Sequence, residues 1–225
     1  MPGQPNARQP LSRRIPYPEF DYQILLTALG NYKRPRDRIT KLLRQGTIIR
    51  VKKGLYVFGE DERRVPVHKE ILANLIYGPS YVSLEYALQC HGLIPERVET
   101  VTSVTTCRSR EFSTPLGRFT YRGVPLSAFT IGVERVEVEA GRAYLLAVPE
   151  KALADKLHTD KAALRTQGEL RAYLEDDLRI DPVAIRSLRA ELLRDYAERY
   201  GSRKIRLLAS VVERLQHPRG GRVDA

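Results

Sequence analysis

The chain has 225 residues, 42% apolar and 29% charged, the balance of an ordinary globular protein and not of a disordered one, with room for about one and a half domains. No apolar run approaches the ~18 residues of a membrane span, MPGQPNARQPLSRR lacks a secretory apolar stretch, and Cys90 and Cys107 give no disulfide framework, so a cytoplasmic protein is expected. The informative quantity is charge: 38 Lys and Arg against 27 Asp and Glu, a net of +11.

That excess is uneven. Residues 1–60 hold 12 basic and 4 acidic residues, net +8, whereas residues 61–225 hold 26 and 23, net +3. Residues 1–17, rich in Pro, Gln, Asn and Arg without periodicity, read as a flexible basic arm. Pro18 then suits the first position of a helix with Glu19 and Asp21 in its first turn, and Phe20, Ile24, Leu25, Ala28 and Leu29 make its apolar face. Gly30-Asn31 stops it, and a second helix is expected from Pro35 to Gln45. There Ile39, Leu42 and Leu43 share an arc of about 100°, opposite Arg34, Arg38, Lys41 and Arg44. TIIRVKKGLYVF follows, with Ile49 and Val51 alternating with Arg50 and Lys52, a Lys53-Gly54 turn and a second β-prone run: a hairpin.

Helix, helix with a basic face, and basic hairpin make the layout of a winged helix-turn-helix over residues 18–60. Between Asn31 and Lys53 stand nine basic residues (Lys33, Arg34, Arg36, Arg38, Lys41, Arg44, Arg50, Lys52 and Lys53) and one acidic residue, Asp37. Solvated faces normally mix both signs, so this set points to a polyanion. A helix fits the major groove, where Arg and Lys donate to guanine, while cations on a wing meet phosphates and fix register. Double-stranded DNA is favoured over RNA because no aromatic platform and no GXXG clamp is present.

A charged link, Gly59–Arg64, leads to a second domain over 65–225. His68 to Tyr77 reads as a helix, Gly78-Pro79-Ser80 as its break, and Ser80 or Ser83 as a cap for a helix in YVSLEYALQCHGL. Residues 98–148 are β-branched or aromatic between Gly and Pro, as in a small antiparallel sheet, with Cys107 expected buried on a strand. Residues 149–216 read as helical: PEKALADKLH, then Gly168 to Arg179, Pro182 to Tyr200, and Ser202 to Gln216 before a frayed tail. The expected class is α+β: a winged helix-turn-helix, then a mixed α/β domain with a helical C-terminal part.

The order of the basic helix-turn-helix, KKGLY (Lys52–Tyr56), YVSLEYALQCHGL and VPEKALADKL resembles the AbiEi-type antitoxins of bacterial abortive-infection, type IV toxin–antitoxin systems, over about Phe20 to His158. The resemblance implies a repressor that binds inverted repeats upstream of its own operon. It also implies neutralisation of a cognate nucleotidyltransferase toxin without a stable complex. Arg34, Arg36, Arg38, Lys41, Arg44, Arg50, Lys52 and Lys53 match its DNA-reading region by location only.

Other chemistries find less support. A nuclease wants Asp and Glu-x-Lys on adjacent strands for a divalent cation; Glu134, Glu137 and Glu139 instead alternate with Arg135 and valines, the pattern of a solvent face. Asp176-Asp177 follows no Gly-Ser turn of the nucleotidyltransferase kind. Lys151 and Asp155 stand one helical turn apart, an ordinary i,i+4 pair beside the dipole-favoured Glu150. His68, His91, His158 and His217 are isolated, and Cys90-His91 lacks a further ligand, so no metal and no cofactor are expected. Two alternatives stay open: a winged-helix regulator whose C-terminal domain senses a ligand or dimerises, and a metal-dependent nucleic-acid enzyme.

Overall fold

A computed structural model describes residues 9–30, 32–139 and 141–217. Helix α1 (Leu11–Arg14) and strand β1 (Glu19–Asp21) precede helices α2 (Tyr22–Leu29) and α3 (Pro35–Arg44) and a hairpin of β2 (Ile48–Lys52) and β3 (Leu55–Phe58). The strands form a three-stranded antiparallel sheet in the order β1-β3-β2. The expected arm is therefore partly packed: Leu11 and Ile15 are buried with Phe20, Leu25, Leu42 and Phe58 in one apolar cluster, while residues 1–8 lie outside the described set. The helix expected from Pro18 starts only at Tyr22. Glu19, Phe20 and Asp21 pair with Val57, Tyr56 and Leu55, which keeps this stretch extended, and the Asp21 carboxylate then caps α2 by accepting the Ile24 N–H at 2.8 Å.

Alternation with a period of two gives this sheet two buried faces. Phe20, Ile48, Tyr56 and Phe58 face the cluster built with α1, α2 and α3. Val51, Leu55 and Val57 belong to the larger core of the rest of the chain, with Ile49 packed against it.

After a single 3-10 turn at Glu60–Glu62 come α4 (Lys69–Ile76), β4 (Ser80–Val82), α5 (Leu84–Cys90), β5 (Val101–Thr105), β6 (Arg110–Thr114) and β7 (Gly117–Gly123). Then follow α6 (Leu126–Phe129), β8 (Val133–Glu139), β9 (Arg142–Ala147) and α7 (Pro149–Thr159). Six strands form one sheet in the order β6-β7-β5-β4-β9-β8, parallel at β5/β7 and β4/β9 and antiparallel elsewhere. The expected small antiparallel sheet is thus larger and mixed. The difference lies in β4: Ser80–Val82 pairs with Ser103–Thr105 and, through Val82, with Leu146, joining two halves that would otherwise be separate. Ser80 is a strand residue and not a cap, and the Ser83 hydroxyl at the start of α5 is turned elsewhere. Cys107 is exposed, because the chain leaves β5 at Thr105 and the loop before β6 faces solvent.

The chain closes with α8 (Gln167–Ala172), a π-helical turn over Tyr173–Asp177, α9 (Pro182–Ser187), α10 (Ala190–Tyr200) and α11 (Arg203–Gln216). The stretch expected as one helix from Pro182 to Tyr200 is two, since Leu188 and Arg189 are extended between them. Gly201 takes a left-handed conformation, φ +59°, and ends α10. Among the described residues no helix is long and apolar enough to cross a membrane.

Candidate functional site

Seven of the nine basic residues singled out from the sequence (Lys33, Arg34, Arg36, Lys41, Arg44, Arg50 and Lys53) are exposed. Helix α3 begins with Pro35 and buries Ile39 and Leu42, which fixes its rotation and turns Lys41 and Arg44 to solvent. Arg34 sits at the N-cap and makes only a 4.0 Å exposed contact with Asp37. Arg36 projects about 60° from Ile39, on the Leu43 side, and so lies off the Lys41–Arg44 face. Arg38 is half-buried, its guanidinium 5.8 Å from the Tyr32 ring centroid, and its Nε has no hydrogen-bond partner. In the hairpin Arg50 follows the Ile48 face of β2, the side on which α3 packs, but emerges into solvent.

Lys52 is not free. Its ammonium donates to the Ile76 carbonyl at the end of α4, and burial holds it below the ordinary lysine range. The hairpin turn is pinned on its other side, where the Tyr22 N–H donates to the Gly54 carbonyl at 2.9 Å. Lys53 at the hairpin turn is exposed, as is Arg50 on β2. A buried ion pair also ties this region to the large sheet: Arg142 at the start of β9 donates to Glu19 of β1 at 2.6 Å, with the two side chains 4% and 3% exposed. Arg142 further donates to the Pro66 carbonyl at 3.0 Å and to Glu139 at 2.9 Å.

A second polar centre is wholly internal. Lys151 and Asp155 of α7 form the expected i,i+4 pair at 2.6 Å, but both are fully buried. Asp155 Oδ1 also accepts from the Tyr200 hydroxyl, and Oδ2 accepts from Ser83 at 2.6 Å and Tyr81 at 3.1 Å. The carboxylate thus joins β4, α7 and α10. Lys151 lies over the rings of Tyr81, Tyr196 and Tyr200, at 5.4, 6.0 and 4.6 Å from their centroids. Burial lowers the Lys151 pKa and outweighs the opposing pull of Asp155; it also raises that of Tyr200, with Asp155 adding to the shift. Glu150, beside them, accepts from the Arg189 backbone at 3.0 Å and from its guanidinium at 3.0 and 3.1 Å. Sequence spacing revealed the Lys151–Asp155 pair but neither its burial nor its three hydroxyl donors.

Above this centre, an open cleft of about 830 Å³ runs between β5, β7, the start of α5 and the end of α7. Leu84 at its edge has φ +60°, a conformation side chains other than glycine's rarely take. The turn is held on three sides: Ser83 N–H donates to the Thr102 carbonyl at 3.0 Å, the Thr102 hydroxyl donates to the Ser83 carbonyl at 2.6 Å, and that hydroxyl accepts the Tyr86 N–H at 3.0 Å. Lys156 in the cleft bridges Glu85 and Asp160, at 2.9 Å each.

The strand carboxylates do not converge: Glu134 and Glu137 are exposed on β8, Glu137 pairs with Arg135, and Glu139 with Arg142. Among the described residues no group of three His, Cys, Asp or Glu is placed to hold a metal ion. His91 instead bonds the Ala147 carbonyl at 2.7 Å, and the His158 ring packs on Tyr200. In comparison with known proteins, the chain matches no family model and no curated protein.

Proposed function

We propose that this chain is a DNA-binding repressor of its own operon and the antitoxin partner of a nucleotidyltransferase-type toxin, as its resemblance to AbiEi-type antitoxins implies. The observation that carries the DNA-binding part is the α3 face: Lys41 and Arg44 stand exposed on a helix whose opposite side is fixed by Ile39 and Leu42, with Arg34 exposed at its N-cap and Arg50 exposed on the hairpin. Asp37 is the only acidic residue on α3. The order α1-β1-α2-α3-β2-β3 and the three-stranded antiparallel sheet β1-β3-β2 support the reading of a winged helix-turn-helix, in which the second helix of the turn would enter the major groove. Lys53 is then the phosphate contact of a short wing, and Lys52 a tether to α4. The antitoxin part rests on YVSLEYALQCHGL and VPEKALADKL, whose Tyr81, Ser83 and Asp155 meet in the buried centre.

Titration of a labelled duplex from upstream of the gene tests the DNA reading. Lys41→Ala with Arg44→Ala should weaken binding by about 1–3 kcal/mol for each residue that meets a base. The slope of log K against log salt should fall by roughly 0.9 for each that meets a phosphate. Unchanged affinity and slope would remove α3 as the reader. Co-expression with a neighbouring nucleotidyltransferase gene, scored as growth rescue, tests the antitoxin half. A regulator with a ligand-responsive C-terminal domain is the second reading, favoured by the cleft beside Leu84, and absence of rescue together with intact repression would select it.

A further inference from the structure

Among the described residues the cleft beside α7 holds two cations, Arg122 and Lys161, that form no ion pair. Its carboxylates, Glu85 and Asp160, are both engaged by Lys156. Asp160 also accepts from the Tyr173 hydroxyl at 2.7 Å and the Ala162 N–H at 3.0 Å, so it has little capacity left. Arg122, on the exposed part of β7, and Lys161, just past α7, line the same space, and neither forms an ion pair among the described residues. A Lys161 beyond a helix C-terminus is explained in part by the helix dipole. Arg122 stands on a strand; the Arg118 ion pair holds Glu111 below the usual carboxylate range, and Arg122 adds to that pull without pairing.

The rest of the lining adds hydroxyls, with Thr120 and Ser109 near Arg122, and two apolar side chains, Leu84 and Val98. A guanidinium and an ammonium that form no ion pair among the described residues, flanked by hydroxyls, suit a phosphoryl group, which accepts several charge-assisted hydrogen bonds. The volume of about 830 Å³ is that of a small-molecule site, and the concave shape does not suit a duplex backbone, which needs cations in an open row. The left-handed Leu84, held by the hydrogen bonds between Ser83 and Thr102, is buried in the large core, so the apolar side chain the cleft offers is the half-buried Val98. We propose that this cleft binds a phosphorylated small molecule, with Arg122 and Lys161 on its phosphate and Val98 against its apolar part. This proposal does not rest on α3 binding DNA.

Inorganic pyrophosphate serves as the probe, titrated calorimetrically into the full chain at constant ionic strength, with melting temperature followed in parallel. One saturable site per chain and a rise in melting temperature are expected. Arg122→Gln with Lys161→Gln should weaken binding at least tenfold and abolish the rise, while its own melting temperature without ligand stays close to that of the parent. Lys41→Ala with Arg44→Ala should retain the binding, which separates the cleft from the other cationic face. The proposal is overturned by absent or non-saturable binding, by equal binding in the cleft variant, or by loss only in the α3 variant. It is equally overturned if the cleft variant loses affinity for duplex DNA while its pyrophosphate binding is intact; the cleft is then a backbone contact.

Discussion

Replacing Asp155 by Asn should be among the most damaging single changes this protein can suffer without altering side-chain size. Four donors converge on that carboxylate, from Lys151, Tyr200, Ser83 and Tyr81, and both members of the ion pair are fully buried. An amide in its place can accept at one oxygen only and turns an NH2 towards two of those donors. It also leaves the Lys151 ammonium with no anion, compensated by its hydrogen bond to the Tyr200 hydroxyl and by tyrosine rings. Removing one partner of a buried pair costs about 3–5 kcal/mol. For a chain of this size, 1 kcal/mol moves the melting temperature by roughly 2–4 °C, so a fall of about 6–20 °C is expected. Lys151→Met should cost less, because Asp155 keeps three hydroxyl donors, and Lys151→Met with Asp155→Leu should recover much of the loss as the cluster becomes apolar. Urea unfolding at pH 7 reads all three. A loss below about 1 kcal/mol for Asp155→Asn would refute the buried-network reasoning. A fully stable variant that no longer supports repression or rescue would show instead that the cluster acts directly in function.

Acid should destabilise the protein through Glu150 and Asp160. Burial raises the pKa of each, but hydrogen bonds from Arg189 to Glu150, and from Tyr173, Ala162 and Lys156 to Asp160, outweigh it and hold both below the usual carboxylate range. With folded values below the unfolded ones near 4, their contribution is complete above about pH 5 and is lost as pH falls through the folded values. Asp160→Asn should therefore be less stable at pH 7 and show a shallower decline below pH 4, by up to about 1.4 kcal/mol per pH unit for the one proton; an unchanged acid limb in urea titrations would contradict this. Gly132→Ala should cost about 2–4 kcal/mol, because φ is +66° and an added Cβ would overlap the Tyr196 hydroxyl and stand 2.9 Å from Lys151 Cβ. A neutral result in thermal melts would mean that this turn can shift.

Periodicity carried well where elements were long enough to show it. The Ile39–Leu42 face of α3 and the alternation of Ile49 and Val51 in the hairpin both read directly from the chain. Three-residue strands have no period to read: Glu19–Asp21 passed for the start of a helix, and Ser80–Val82 for a break and a cap. Both are fixed by pairing with strands far along the chain, not by local preference. The polar centre failed for the same reason. Lys151 and Asp155 announce themselves by spacing, whereas Tyr81, Ser83 and Tyr200 stand 74, 72 and 45 residues from Asp155. Arg122 and Lys161 belong to a segment whose overall charge is nearly balanced. Only the folded chain shows that the neighbouring Glu85 and Asp160 are engaged by Lys156, and that among the described residues those two cations form no ion pair.

The basic amino-terminal region is not an appendage that can be removed cleanly. Strand β3 is the middle strand of its sheet: Tyr56 and Phe58 serve the small core, while Leu55 and Val57 serve the large one. A chain starting at residue 61 would uncover the apolar surface that Val51, Leu55 and Val57 fill, and would leave Arg142 buried without Glu19. Residues 61–225 alone should then unfold at lower urea than the full chain and bind a hydrophobic dye. Within the full chain, Glu19→Gln tests the ionic part separately: losing one partner of a buried pair costs about 3–5 kcal/mol, whereas Glu19→Gln with Arg142→Met should cost less than the sum of the single changes. A fragment 61–225 as stable as the parent, or strictly additive losses at Glu19 and Arg142, would mean that the two parts meet without supporting each other. If the coupling holds, failure of the fragment to rescue growth says nothing about where antitoxin activity lies, because an unfolded fragment fails for a different reason. Substitutions on the exposed α3 face, which leave both cores intact, are the changes that separate repression from rescue.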